Sequence, residues 1–325
     1  MALLVVLVAP ALTQLASYGS QNASWVSGQQ RADAVQGAQV KSLLAIAEHR
    51  SGGRVFAGLP STWGLDFTVG SVPVYNFMED TPVDAMGLTL RTSSLMTGPE
   101  AYFDDTNPGD YTAFGVRYLL LPAGKAPPVP ARFVAQAGSY LLYEVSGPDL
   151  FSVVDTTTAI AADSTNLGKK MGPFLHSSLP GRGIYPVVAY AGLPAAAPTL
   201  APGAAASGPA GQVLTERDRL VAGAAVATVF ANRIAVVVLH SAYDPGWTAT
   251  VDGVARTPEM VAPAEVGVTV APGVHTVAFQ YRGYGSYPAL FAVSIVTLLA
   301  VGVGPTLWRR AEPRWRARRT RGVPV

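Results

Sequence analysis

The chain of 325 residues is 49% hydrophobic and only 14% charged, which excludes a disordered protein, and at roughly 100 to 200 residues per domain it is long enough for two. Gly 33 and Pro 26 exclude an all-helical bundle, and the absence of cysteine excludes disulfides, thiolate metal sites and a cysteine nucleophile. The net charge of +2 conceals a split, because seven arginines follow Trp308 with Glu312 as their only acid, leaving 16 basic against 20 acidic residues before them; with no basic face on the body, nucleic acid is not an expected partner.

In chain order, Ala2–Leu12 is strongly apolar, and no charge precedes Arg31. A signal peptide would begin with basic residues, so residues 1–16 read as a hydrophobic segment, either the outer part of a span belonging to a longer multi-spanning protein or a short uncleaved anchor. Val40, Leu43, Leu44 and Ala47 recur at the spacing of one apolar helix face and predict a helix over Ala38–Ala47. Strands are predicted at Arg54–Leu59, Val116–Leu121, Arg132–Ala135, Tyr140–Val145 and Phe151–Val154, and a helix at Thr81–Thr92, where a threonine cap precedes Pro82. This mixture predicts an α/β or α+β domain over 35–190.

Residues 191–211 are almost entirely Ala, Pro, Gly and other small residues and read as a linker. Beyond it, strands are predicted at Gln212–Arg219, Ile234–Leu239, Trp247–Val251, Val266–Val270 and Val274–Arg282, with Asp252-Gly253 as a hairpin turn. Val277, Phe279 and Tyr281 share one face of the last strand. The expectation is an antiparallel β-sandwich over 212–284.

Residues 287–308 carry no charge and as a helix would be about 33 Å long, enough for a bilayer core of about 30 Å. A transmembrane helix is predicted there, bounded by Tyr287 and Trp308, with membrane lipid as its partner. The arginines of the tail 309–325 mark the cytoplasmic side, which places the body outside.

Candidate sites are sparse. His49, His176, His240 and His275 lie at no mutual ligand spacing, so no metal site is expected. Asp104, Asp105 and Asp110 are either oxygen ligands for a divalent cation or turn residues, and the turn reading is preferred. Trp63, Tyr75, Tyr102, Phe103 and Tyr111 are either core or a sugar-stacking platform with Asp66 and Asp104 as hydroxyl acceptors. Trp247 either packs inside the sandwich, on the face of Ala249 and Val251, or stands at its rim as a sugar platform. No glycine-rich phosphate loop, Gly-x-Ser-x-Gly elbow or paired-histidine zinc motif occurs, and no cofactor is expected.

The run Tyr243-Asp244-Pro245-Gly246-Trp247, followed by Val251-Asp252-Gly253, Pro272-Gly273, His275-Thr276-Val277 and Phe279-Gln280-Tyr281, resembles the C-terminal β-domain of YfhO-like bacterial integral membrane proteins. Arg54-Val55-Phe56, Phe114 to Leu120 and Tyr140 to Glu144 look like the extracytoplasmic domain of the same group. The resemblance implies a membrane glycosyltransferase-like protein of GT-C architecture, located in the bacterial plasma membrane and using lipid-linked sugar donors. In that family the catalytic acid and most spans lie toward the N-terminus, so no catalytic residue carries over, and the polytopic portion is an expected partner. The expected role is binding or positioning a glycan or polyprenyl-linked sugar in cell-envelope glycan assembly. A free-standing membrane-anchored envelope module without catalytic activity is the alternative.

Overall fold

The computed structural model describes residues 2–50, 53–87, 94–191, 196–201, 207–283 and 285–319, and of 2–12, 218 and 304–319 the backbone alone. The chain forms two units, Met1–Tyr281 and Arg282–Val325.

In the first unit, α1 (Ala2–Ala32) runs through a π-helical turn at Asp33–Gly37 into α2 (Ala38–Arg50). The predicted apolar face of α2 is the buried one, with Val40, Leu43, Leu44 and Ala47 all enclosed. Gly37 permits the approach to the body: a Cβ there would lie 3.0 Å from the ring of Phe77. The hydrophobic segment expected at 1–16 is thus the start of a longer helix; its side chains up to residue 12 lie outside the described ones, and Leu15, Tyr18 and Trp25 are exposed.

The chain continues through β1 (Arg54–Phe56), a small hairpin of β2 (Thr68–Val69) and β3 (Val72–Pro73), α3 (Val74–Phe77) and β4 (Ala85–Met86). The helix expected over 81–92 does not form at its start. There Asp84 C=O accepts from Val55 N–H at 2.9 Å, and β4 runs parallel to β1, so pairing with a buried neighbour overrides the capping signal; residues 88–92 lie outside the described ones. Then come α4 (Thr97–Glu100), α5 (Pro108–Ala113, capped by Asn107), β5 (Val116–Pro122), β6 (Ala131–Ala137) and β7 (Tyr140–Val145). The first sheet has the order β4-β1-β5-β7-β6, parallel around β1 and antiparallel beyond β5. Gly138, at φ 58°, closes the two-residue β6–β7 turn.

Next are β8 (Phe151–Ala162), α6 (Leu167–Leu175), β9 (Ile184–Tyr190), β10 (Gly211–Arg219), β11 (Ala224–Ala231), β12 (Ala235–Ala242), β13 (Trp247–Val251), β14 (Val254–Arg256), β15 (Glu259–Val261), β16 (Glu265–Val270) and β17 (Gly273–Tyr281). One antiparallel sheet has the order β10-β11-β17-β13-β14, and β12-β16-β15-β9-β8 close into a barrel. The expected sandwich is therefore present only as its outer sheet. Its other layer shares a barrel with β8 and β9, so hydrogen-bonded strands cross the 191–211 connector: β12 pairs with β8, and β15 with β9. The connector itself docks where it is described, with Leu200 N–H on Thr156 C=O and Thr199 exchanging hydrogen bonds with Thr156. The architecture is α+β, with mixed helices and several largely antiparallel sheets.

The hairpin turn at Asp252-Gly253 has positive φ at both residues, 53° and 78°, and Asp252 accepts from Thr276 N–H and lies 2.7 Å from His275 Nδ1. These contacts give the aspartate, glycine and histidine of the C-terminal sequence pattern a shared structural task in joining the β13–β14 turn to β17.

The second unit contains α7 (Tyr287–Arg319). Among the described residues no helix is long and apolar enough to cross a membrane. Residues 304–308 of the span expected at 287–308 lie outside those with described side chains.

Candidate functional site

Of the two readings of the aromatic residues, core or sugar platform, the packing fits the core. Trp63, Tyr75, Phe103 and Tyr111 are buried, and Phe56 makes ring contacts with Trp63 and Phe103 at 5.2 and 4.8 Å. Trp63 donates its indole N–H to Leu120 C=O at 3.3 Å. Of the five aromatics only Tyr102 is exposed; Asp66 is exposed too, and it is not among the residues lining the cleft that Tyr102 borders. Trp247 is likewise enclosed, its N–H on Ala242 C=O at 3.1 Å and its ring 5.3 Å from Tyr281. These rings give up their faces to the core because each buries a large apolar area there, so Trp63, Tyr75 and Trp247 offer no stacking surface.

The three aspartates are turn and cap residues. Asp104 accepts from the N–H and hydroxyl of Thr106, while Asp110 accepts from Asp104 N–H and from the Asn107 amide. Burial pushes the Asp110 carboxyl up to about 7. Among the described residues no group of three or more His, Asp or Glu side chains is placed to hold a metal ion.

The chemistry-bearing cluster lies elsewhere, where β8, β12 and β16 meet in the barrel. Antiparallel pairing sets Ser152 opposite Val238 on β12, and His240, two residues further along β12, donates its backbone N–H to Leu150 C=O at 2.9 Å and shares the face of Val238 beside Ser152. Ser152 Oγ lies 2.6 Å from His240 Nε2, and His240 Nδ1 lies 2.9 Å from Glu265 Oε1. His240 and Glu265 are fully buried, whereas Ser152 is half-buried. Burial raises the Glu265 carboxyl above its ordinary range, and the neighbouring His240 opposes that shift. A carboxylate only accepts, so with Glu265 ionised Nδ1 carries the imidazole proton and Nε2 accepts from the Ser152 hydroxyl.

Ser152 lies in the wall of a cavity of about 500 Å³ between the β7–β8 loop, β8 and β10, which also contains Thr112, Asp149, Tyr185, Thr215 and Glu216. Glu216 on β10 is bound there by two consecutive amides, accepting from Leu150 N–H at 3.0 Å and Phe151 N–H at 3.2 Å. Burial raises its carboxyl, and the two amides pull it back down.

Behind Glu265, on the first sheet, Arg54 is nearly buried between Asp84 at 3.5 Å and Glu100 at 3.6 Å. It donates to Ala85 C=O at 3.0 Å. Burial pushes Glu100 up to about 7 against the pull of Arg54.

None of Ser152, His240, Glu265 and Glu216 was singled out as a site by sequence, although His240 was noted as an isolated histidine. Ser152 and His240 are 88 positions apart, and His240 and Glu265 are 25 apart. The available signal was polarity out of place: a histidine ending the apolar run Ile234–Leu239 and a glutamate opening the run Val266–Val270. No family model, curated protein or solved structure matches the chain.

Proposed function

We propose that the chain is the extracytoplasmic part of a membrane glycosyltransferase-like protein of the bacterial plasma membrane, anchored by the helix that begins at Tyr287. In this reading the body binds or positions a glycan or polyprenyl-linked sugar for envelope glycan assembly. What supports anchoring is the run 287–308 at the start of α7, which is apolar and carries no charge. A continuous apolar run of this kind is stable in lipid and costly in water. The seven arginines that follow Trp308 favour a cytoplasmic C-terminus, which puts the sheet-rich body outside.

The cavity beside β10 supports the sugar part of the proposal. Its carboxylates Asp149 and Glu216 accept hydrogen bonds, and the hydroxyls of Thr112, Ser152 and Thr215 both donate and accept, a set suited to sugar hydroxyls. Recognition there rests on hydrogen bonding, since the aromatic rings are committed to the core. The test is amide hydrogen exchange on the full chain in nanodiscs, with and without a polyprenyl-phosphate-linked sugar. Slower exchange at 147–154 and 211–216 is expected, and exchange unaltered at both segments rejects the sugar-binding role.

A further inference from the structure

The geometry points to Ser152 as an acyl-accepting nucleophile, activated by His240 and Glu265, that hydrolyses small neutral esters bound in the cavity beside β10. This inference rests on the barrel alone and is independent of anchoring and of sugar binding.

Three observations carry it. The hydroxyl, imidazole and carboxylate stand in series at 2.6 and 2.9 Å, within the hydrogen-bond reach that a nucleophile, its base and the group orienting that base require. The two inner members are sealed from solvent while Ser152 meets a cavity of about 500 Å³, so the base is held in one orientation and the nucleophile is the member a substrate can reach. Finally, the two amides directly preceding Ser152 already bind an anion, the Glu216 carboxylate. Paired backbone N–H groups beside a nucleophile are the donors that a developing oxyanion needs, and here the side chain of Glu216 holds that seat at rest.

In the reaction, Ser152 Oγ bonds to the ester carbonyl carbon and passes its proton to His240 Nε2. Collapse of the adduct breaks the bond to the alkoxy oxygen, which leaves as the alcohol carrying that proton. Water then attacks the acyl-serine and gives one proton to His240, the carboxylic acid departs, and the proton returns to Ser152 Oγ. Glu265, 2.9 Å from Nδ1, holds the imidazole in place and offsets the imidazolium charge that forms. Glu216 must vacate the amides for the oxyanion to bind. Asp149 is paired with Arg117 at 3.4 Å, and the Glu216 carboxylate disfavours anionic substrates, which sets the preference for neutral esters.

The test uses the full chain in detergent, with a fluorophosphonate probe followed by peptide mapping and with p-nitrophenyl acetate as the ester. The expected result is a covalent adduct at Ser152 and ester hydrolysis at least about tenfold above that of Ser152→Ala, with adduct formation faster in Glu216→Ala, whose amides are free. The absence of an adduct at Ser152 in both the wild type and Glu216→Ala, each with an unaltered circular dichroism spectrum, would overturn the proposal and leave the triad as a structural hydrogen-bond chain.

Discussion

Gly115 packs against His240 so closely that a Cβ on it would lie 2.5 Å from both Cβ and Cγ of the histidine. Gly115 also holds φ at 62° in the turn that leads into β5, a conformation that other residues adopt at a cost. Those atoms belong to the root of the imidazole, so the clash is relieved only by moving the β12 backbone or the His240–Glu265 pair. Gly115→Ala is expected to cost about 2 to 4 kcal/mol, from backbone strain and overpacking together. A denaturant midpoint equal to that of the wild type would show that His240 yields freely.

The second prediction concerns Trp247, which is 8% exposed, with its ring 6.4 Å from Phe279 and its N–H hydrogen-bonded. Trp247→Ala removes a core anchor of the β13–β17 pair and should lower stability by about 3 to 5 kcal/mol. Chemical unfolding of the full chain in detergent measures this, because strands of both halves share the barrel. An unchanged midpoint would return Trp247 to the role of surface platform.

How much of this was legible in the sequence differs by element. In the outer sheet β13 and β17 were, because Val277 and Phe279 alternate with less buried neighbours and Asp252-Gly253 carries the required turn chemistry. So was α2, where the four positions of the predicted apolar face are the four that are buried. In contrast, β11 escaped notice because its inward positions are mostly small (Ala225, Ala227 and Ala231 around Val229), which gives alternation without a hydrophobic contrast. The barrel was illegible for a different reason. Its parallel pairing of β8 with β9, and the pairing of β8 with β12 across the connector, depend on long-range topology that no local pattern encodes. The Ser152–His240–Glu265 chain inherits that difficulty, since each member looks locally like an ordinary strand residue.

The third prediction is a pH dependence. Glu100 has an ordinary value of 4.5 and is raised to about 7 in the folded chain by burial. A raised carboxyl binds its proton more tightly when folded, so its contribution to stability is full below about pH 4.5 and is lost as the pH rises to about 7. At about 1.4 kcal/mol per pKa unit the loss is on the order of 3 kcal/mol. Asp110, also raised to about 7 by burial, acts in the same sense. Thermal midpoints across this interval should fall with pH in the wild type, less so in Glu100→Gln, and least in the double variant with Asp110→Asn. A wild-type midpoint that climbs over the same interval contradicts the assignment.

The fourth concerns the pair that fastens the connector to the barrel. Arg233 reaches both carboxylate oxygens of the buried Asp155, at 2.8 and 2.6 Å, and donates to the carbonyl groups of Ser207, Gly208 and Pro209. Arg233→Ala strands a buried carboxylate and should cost about 3 to 5 kcal/mol. Arg233→Lys should recover little of it, because an ammonium group lacks the planar fork that engages both oxygens. Equal stability of the lysine variant and the wild type, in equilibrium unfolding, would show that charge alone suffices.

The most direct test of the account is the orientation of the chain in the membrane. A reporter active only in the cytoplasm, fused after Val325, is expected to be active, and the same reporter inserted at Gly211 in the full chain is expected to be silent, because in the proposed orientation the arginines after Trp308 face the cytoplasm. Activity at Gly211 with silence after Val325, or full release of the protein from membranes by alkaline carbonate, would contradict an anchored extracytoplasmic body.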